Sequence, residues 1–188
     1  MTQPDGWRIS KASLTVVITG NSNSVVYSGN EQSLSFDEGK GGKVEFSSNP
    51  QGLTKEVVGA IAPDPYALVA KGTDFGTYSM FNDEDGQPII FSLSEQADNI
   101  NATFLTNAGI LSITKKNIED EDVAISGDTP LIYNGGVSNP NISVTYNGDA
   151  LIKDVEYSIQ GDSEHDVGKY TATISAKGNN FTGTKVFN

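Results

Sequence analysis

An all-β fold, built as two tandem small antiparallel modules, follows from three features of the sequence. Apolar and polar residues alternate over short runs, turn-forming residues separate those runs, and a set of landmarks occurs twice in the same order. An Ig-like sandwich is the favoured architecture for both modules. A β-grasp-like sheet with one short helix is the alternative for the first.

Leu14, Val16 and Ile18 define the first strand, because successive side chains of a strand point to opposite sides of a sheet. Residues 20–24 are a loop by composition. Val25-Val26-Tyr27 is a short run stopped by Ser28-Gly29-Asn30. Leu34 and Phe36, then Val44 and Phe46, alternate on either side of the glycine- and acid-rich stretch 37–42. Residues 54–61 stay open between a short helix begun by Thr54 and none, since Val57, Val58 and Gly59 oppose it. Pro63-Asp64-Pro65 is a stiff connector. Residues 76–80 and 88–93 read as strands, the latter with Ile89, Phe91 and Leu93 on one side and the acidic loop 82–86 before it. Residues 102–105 and 110–113 look like a hairpin closing around Asn107-Ala108-Gly109.

From residue 113 the text restarts. Ile113-Thr114-Lys115 with Ile118 echoes Ile9-Ser10-Lys11 with Leu14. Tyr133-Asn134-Gly135 echoes Tyr27-Ser28-Gly29, and Asp166-Val167-Gly168 with Tyr170 echoes Asp74-Phe75-Gly76 with Tyr78. Tyr27 and Tyr78 are 51 residues apart, whereas Tyr133 and Tyr170 are 37 apart, so the first copy carries an insertion, placed at 37–70. The expected domains are 8–114, an elaborated β module, and 115–188, a compact one, with 1–7 the end of a preceding repeat or a leader.

The second copy alternates more cleanly. Ile142, Val144 and Tyr146 share a face, and Asn147-Gly148 is a type I′ hairpin signal. Val155, Tyr157 and Ile159 form the next apolar face. Tyr170, Ala172, Ile174 and Ala176 form another, leading through Gly178-Asn179-Asn180 into a last strand from Phe181.

Composition narrows the function. Twenty-four acidic residues against 12 basic give a net charge of −12, with Lys115-Lys116 the one adjacent basic pair. Phosphate recognition needs a basic face, so nucleic acid and anionic membrane are set aside as partners. The chain has no cysteine, which removes disulfides, thiol nucleophiles and thiolate zinc sites. No apolar run approaches the length of a membrane-spanning helix.

The residues Tyr133-Asn134-Gly135, Pro140, 144–148, Leu151, 155–157, 166–170 and 178–184 resemble the repeat modules of bacterial surface proteins and adhesins, of the MBG or YDG type and the bacterial Ig-like repeats. The first copy matches at its ends, through 9–16, 27–29, 76–78 and 109–115, while 37–70 stays outside the resemblance. Glu156-Tyr157 stands where the family usually has Asp-Tyr, and Asn180-Phe181 where it has Asn-Tyr. The resemblance implies a segment of a longer, extracellular protein of the bacterial cell surface, in which such modules serve as stalks and sometimes as adhesive tips. The implied partners are neighbouring repeats and a host glycan or protein.

Candidate chemistry is sparse. Asp83 and Asp85, in Asp83-Glu84-Asp85-Gly86, are the calcium candidates, because hard cations take closely spaced carboxylate oxygens. The sequence lacks the further Glu of a full calcium loop, and a solvated turn is the simpler reading. Glu119 to Asp122 reads as a charged linker or an edge guard. His165, the only histidine, has neither a second histidine nor a nucleophile motif to work with, so no catalytic residue is nominated. Tyr27, Tyr133, Tyr146, Tyr157 and Tyr170 suit the rim of a small β core better than a sugar-stacking face. The leading expectation is a non-catalytic structural or adhesive segment acting as a stalk. The alternative is a carbohydrate- or glycoprotein-binding module using 37–70. No cofactor is expected, with calcium the one left open.

Overall fold

The computed structural model describes residues 6–188; these are all-β, with several small sheets, a single turn of α-helix and two short 3-10 turns. The leader expected over 1–7 falls mostly outside the described residues. Two compact units are present, and a single cut does not separate them. The first takes the chain up to Val25, then Glu31–Gly72 and Thr77–Ser112; the second takes Val26–Asn30, Thr73–Gly76 and Ile113–Asn188.

In chain order the first half supplies β1 (Ala12–Gly20), β2 (Asn23–Val26), β3 (Gln32–Ser35), β4 (Lys43–Ser48), α1 (Lys55–Val58), β5 (Ile61–Ala62) and β6 (Val69–Gly72). It continues with β7 (Gly76–Ser79), β8 (Ser92–Leu93), β9 (Ile100–Ala108) and β10 (Ile110–Thr114).

The first unit is organised on β1. Its residues Leu14, Val16 and Ile18 are buried, with β4 antiparallel on one side and β9 parallel on the other. β3 pairs with β6 and β5 with β8, both antiparallel. Leu34, Leu68, Ala70, Met80, Phe91 and Leu111 are buried in this unit as well. Asn21 is the buried polar residue at the end of β1. Its Nδ2 donates to the Ser35 carbonyl at 3.1 Å and its Oδ1 accepts from the Asp37 N–H at 2.9 Å, so β1 is tied to β3 without an unsatisfied group.

The helix question at 54–61 resolves into one turn. Thr54 precedes it with extended backbone, and Gly59, at φ 74°, ends it. The stretch expected as a strand over 88–93 forms a strand only at Ser92–Leu93, with a lone antiparallel bridge from Pro88 to Asn82, although Phe91 and Leu93 are buried as the alternation requires.

The second half supplies β11 (Lys116–Asn117), β12 (Val123–Ser126), β13 (Ser143–Tyr146), β14 (Asp149–Ala150), β15 (Tyr157–Gln160), β16 (Ala172–Ala176), β17 (Phe181–Thr182) and β18 (Thr184–Phe187). Within the second unit the sheets run β12–β13–β14 and β15–β16–β18, and β11 pairs with β17. Ile118, Val123, Ile142, Val144, Tyr146, Tyr157, Ala172, Ile174 and Phe181 form its core. Asn147 and Gly148 lie at φ 50° and 92°, the two positive values that a type I′ hairpin between β13 and β14 requires.

Two expectations need correction. The modules are not wholly antiparallel: β1 lies parallel to β9 over its whole length, and β11 parallel to β17. Alternation marks a strand but not its partner's direction, and the long chain between the members of each pair allows them to run the same way. The hairpin expected around Asn107-Ala108-Gly109 is not one either. β9 joins β1 while β10 lies in a different sheet, and Ala108 and Gly109, at φ 55° and 73°, redirect the chain between them. The C-terminal stretch behaves similarly. β16 pairs with β18 antiparallel, and β17 is diverted between them to β11.

The repeat is thus visible in the backbone. Ala12 N–H donates to the Asn99 carbonyl at 3.0 Å, and Lys116 N–H donates to the Asn180 carbonyl at 2.8 Å, each opening a parallel pair. A glycine of positive φ, Gly109 at 73° and Gly183 at 90°, follows β9 and β17 respectively.

Candidate functional site

The best-defined polar constellation lies in the second unit around Asn180. Turn chemistry puts it there: Gly178, at φ 68°, lets the chain leave β16 and bring Asn180 beside the first residue of β17. Its Nδ2 donates to Asp74 Oδ1 at 2.9 Å, and its Oδ1 accepts from the Phe75 N–H at 2.7 Å. A side-chain amide thereby clasps a carboxylate and the next backbone N–H, using one donor and one acceptor of its own.

Next to this clasp Tyr27 enters the aromatic core. Its ring stacks on Tyr146 at 6.0 Å and meets Phe181 edge-on at 5.4 Å, and Tyr146 meets Phe181 edge-on at 5.5 Å. Tyr27 N–H donates to the Thr114 carbonyl at 2.8 Å, and its carbonyl accepts from the Tyr146 hydroxyl at 3.0 Å. Burial pushes the Tyr27 phenol above its ordinary value, the carboxylates of Asp74 and Glu156 add to the rise together with Tyr146, and Asn180 opposes it. The phenol is held neutral.

Lys116 sits beside the same ring, its Nζ 5.7 Å from the Tyr146 centroid. The carboxylates of Asp120 and Asp122 each approach that ammonium to 2.8 Å. Burial works to lower the Lys116 pKa, but the two carboxylates outweigh it and the net shift is upward. Lys185 Nζ donates to the Val123 carbonyl at 2.7 Å and the Asp120 carbonyl at 3.3 Å, closing the loop that carries the acids. Two members of the acidic run 119–122, Asp120 and Asp122, are therefore paired with a lysine of their own unit. Neither Lys116 nor Asn180 stood out in the sequence: one was half of a basic pair, the other a turn residue. Lys116 finds its carboxylates in the turn that follows it, and Asn180 finds Asp74 and Phe75 on a segment distant in sequence.

The opposite situation holds for Tyr133, His165, Asp166 and Tyr170. They line an open groove of about 730 Å³ in the second unit, with Leu131, Val167 and Phe187. Tyr133 meets His165 edge-on at 6.2 Å, His165 Nδ1 lies 3.0 Å from Asp166 Oδ1, and the Tyr170 hydroxyl donates to the Asp166 carbonyl at 3.1 Å. The five tyrosines singled out above therefore divide. Tyr146 and Tyr157 are buried, Tyr27 is half-buried, and Tyr133 and Tyr170 are exposed.

The insertion 37–70 carries a smaller hollow of about 280 Å³, lined by Val44, Phe46, Lys55, Asp64 and Tyr66 among others. The Tyr66 ring meets Phe36 edge-on at 5.4 Å and its hydroxyl donates to Glu38 Oε1 at 3.0 Å.

The calcium candidates Asp83 and Asp85 lie in a tight turn. Asp83 Oδ1 accepts from the N–H groups of Asp85 at 3.1 Å and Gln87 at 2.8 Å, so that carboxylate is occupied in shaping the loop. Among the described residues no three His, Cys, Asp or Glu side chains come together as metal ligands. No helix among the described residues is long and apolar enough to cross a membrane. Comparison with the models of known protein families, with characterised proteins and with solved structures finds no match.

Proposed function

We propose that this chain is a non-catalytic structural segment of tandem repeats, a stalk in an extracellular bacterial surface protein that resists extension. The observation that carries this reading is the parallel pairing of β1 with β9, residue for residue from Ala12↔Ile100 to Gly20↔Ala108. β1 lies near the start of the chain that builds the first unit, and β9 lies near its last residue, Ser112. A pull on the two ends therefore drags these strands in opposite directions along their length. Every inter-strand hydrogen bond is loaded together, whereas an antiparallel hairpin pulled at its open end yields one bond at a time. The second unit repeats the device in shorter form, through β11 and β17. Single-molecule pulling of the chain between marker domains tests this. Discrete unfolding peaks support it, and smooth extension at low force contradicts it.

The hollow beside Phe46, Asp64 and Tyr66 favours a second reading, in which 37–70 binds a carbohydrate or glycoprotein. Aromatic and acidic groups around a concavity are the chemistry that stacks on and hydrogen-bonds to a sugar. Binding on a glycan array that disappears with Tyr66→Ala would establish it; an array without reproducible binding would leave the stalk reading alone.

A further inference from the structure

We propose that the face of the second unit carrying Tyr133, Asp166 and Val167 is a docking surface for a further β module of that unit's own kind. The inference rests on the tandem-repeat reading and names the partner it implies. Its basis is a pairing of segments internal to this chain. Two segments of the first copy, Val26–Asn30 and Thr73–Gly76, belong to the second unit. There Tyr27 fills the aromatic gap between Tyr146 and Phe181, and Asp74 with Phe75 is clasped by Asn180.

The second copy holds the same two segments. Gly29 and Gly135 lie at φ 79° and 82°. The turn before each is closed alike: Asn30 N–H donates to Ser28 Oγ at 3.3 Å, and Gly136 N–H donates to Asn134 Oδ1 at 2.9 Å. Tyr133 thus repeats Tyr27 in chemistry and in its glycine turn, and Asp166 repeats Asp74 in chemistry, but neither repeats its counterpart's surroundings. Tyr133 is 56% exposed, Ile132 and Val167 are each 85% exposed, and the rings of Tyr133 and His165 already hold the two segments side by side. An apolar patch of this kind on a small domain marks a contact surface. The partner it implies is a module that offers an Asn-Phe turn like that between β16 and β17 and a Tyr placed like Tyr146 on β13. Val167 stands where the first copy has Phe75, whose ring lies 5.1 Å from Lys115 Nζ, so the new contact lacks that cation–π element.

The test lengthens the full chain by a second copy of residues 113–188 placed after Asn188. The added copy has the acceptor residues but not the segments 26–30 and 73–76, so the preceding copy must supply them. Hydrogen exchange is read at 131–136 and 165–169 in the original and lengthened chains. The proposal predicts exchange slowed at least tenfold on lengthening, reversed by Tyr133→Ala with Asp166→Ala, both surface changes, while the first unit keeps its protection. Unchanged exchange, an added copy that stays unfolded, or indifference to the double change would overturn it. Self-association of the original chain that is lost with Tyr133→Ala would assign the face to a second copy of this protein instead. Failure here with force peaks intact removes this docking and leaves the stalk reading standing.

Discussion

At Asn180 two backbone-remote groups depend on one side chain. Truncation in Asn180→Ala removes the acceptor of the Phe75 N–H and one donor to the Asp74 carboxylate, and urea unfolding should show the second unit weakened by about 1–3 kcal/mol. Asn180→Asp should cost more, because it sets a second carboxylate against Asp74, and part of that loss should return as pH falls into the carboxylate range. Lys116 gives a prediction at the other end of the scale. Its side chain is 12% exposed, and its pKa is raised above the ordinary 10.5 because Asp120 and Asp122 outweigh its burial. A raised folded pKa contributes stability that is complete below the unfolded value and is lost as pH climbs from there through the folded value. The Tyr27 phenol, also raised, acts in the same direction. The second unit should therefore lose stability as pH rises beyond about 10, and Lys116→Met should flatten the lysine's share of that decline. The solvent around the two aspartates limits the cost of Lys116→Met near neutrality to about 1 kcal/mol. The sequence marked Tyr27 and Tyr133 by their repeated turn, yet it could not separate the buried one from the exposed one, since burial depends on what lies across from each.

Among the elements, β1 was the most readable and β9 the least. Leu14, Val16 and Ile18 announce a buried face by their period of two, and all three are buried. β9 carries exposed Thr103, Leu105 and Asn107 at the sheet's edge, and nothing in that pattern specifies a parallel neighbour drawn from the other end of the unit. The redirecting glycines are where a turn signal was present and its meaning was missed. Gly109 looks like the tip of a hairpin, but in the fold it passes the chain from one sheet to another, at φ 73° and with a hypothetical Cβ 2.7 Å from Met80 Cγ and Phe81 Cε2. Gly109→Ala should therefore destabilise the first unit by about 2 kcal/mol or more, combining backbone strain with overpacking. Thermal unfolding with separate probes in the two units checks it, and an unchanged midpoint for the first unit would refute the assigned role. The single helical turn shows the converse balance. Thr54 allowed a start, and Gly59 stops it after Val58.

For the whole molecule, short alternating runs, the turn residues between them and the repeated landmarks carried the all-β class, and the missing part was which residues share a compact unit. A linear text suggests a boundary near residue 115, whereas Val26–Asn30 and Thr73–Gly76 lie with the second unit because Asn180, Tyr146 and Phe181 hold them there. The net charge of −12 bears on solubility and on the absence of a basic face, not on the fold. On the proposed stalk reading, mechanical strength ties these scales together, and the nine-residue parallel pair of the first unit should outlast the two-residue pair of the second. Single-molecule pulling measures it. The second unit should yield first, releasing about 250 Å of chain for residues 113–188, and the first unit should follow at higher force with about 350 Å, at about 3.4 Å per residue. The reverse order, or extension without distinct peaks, would contradict the stalk reading.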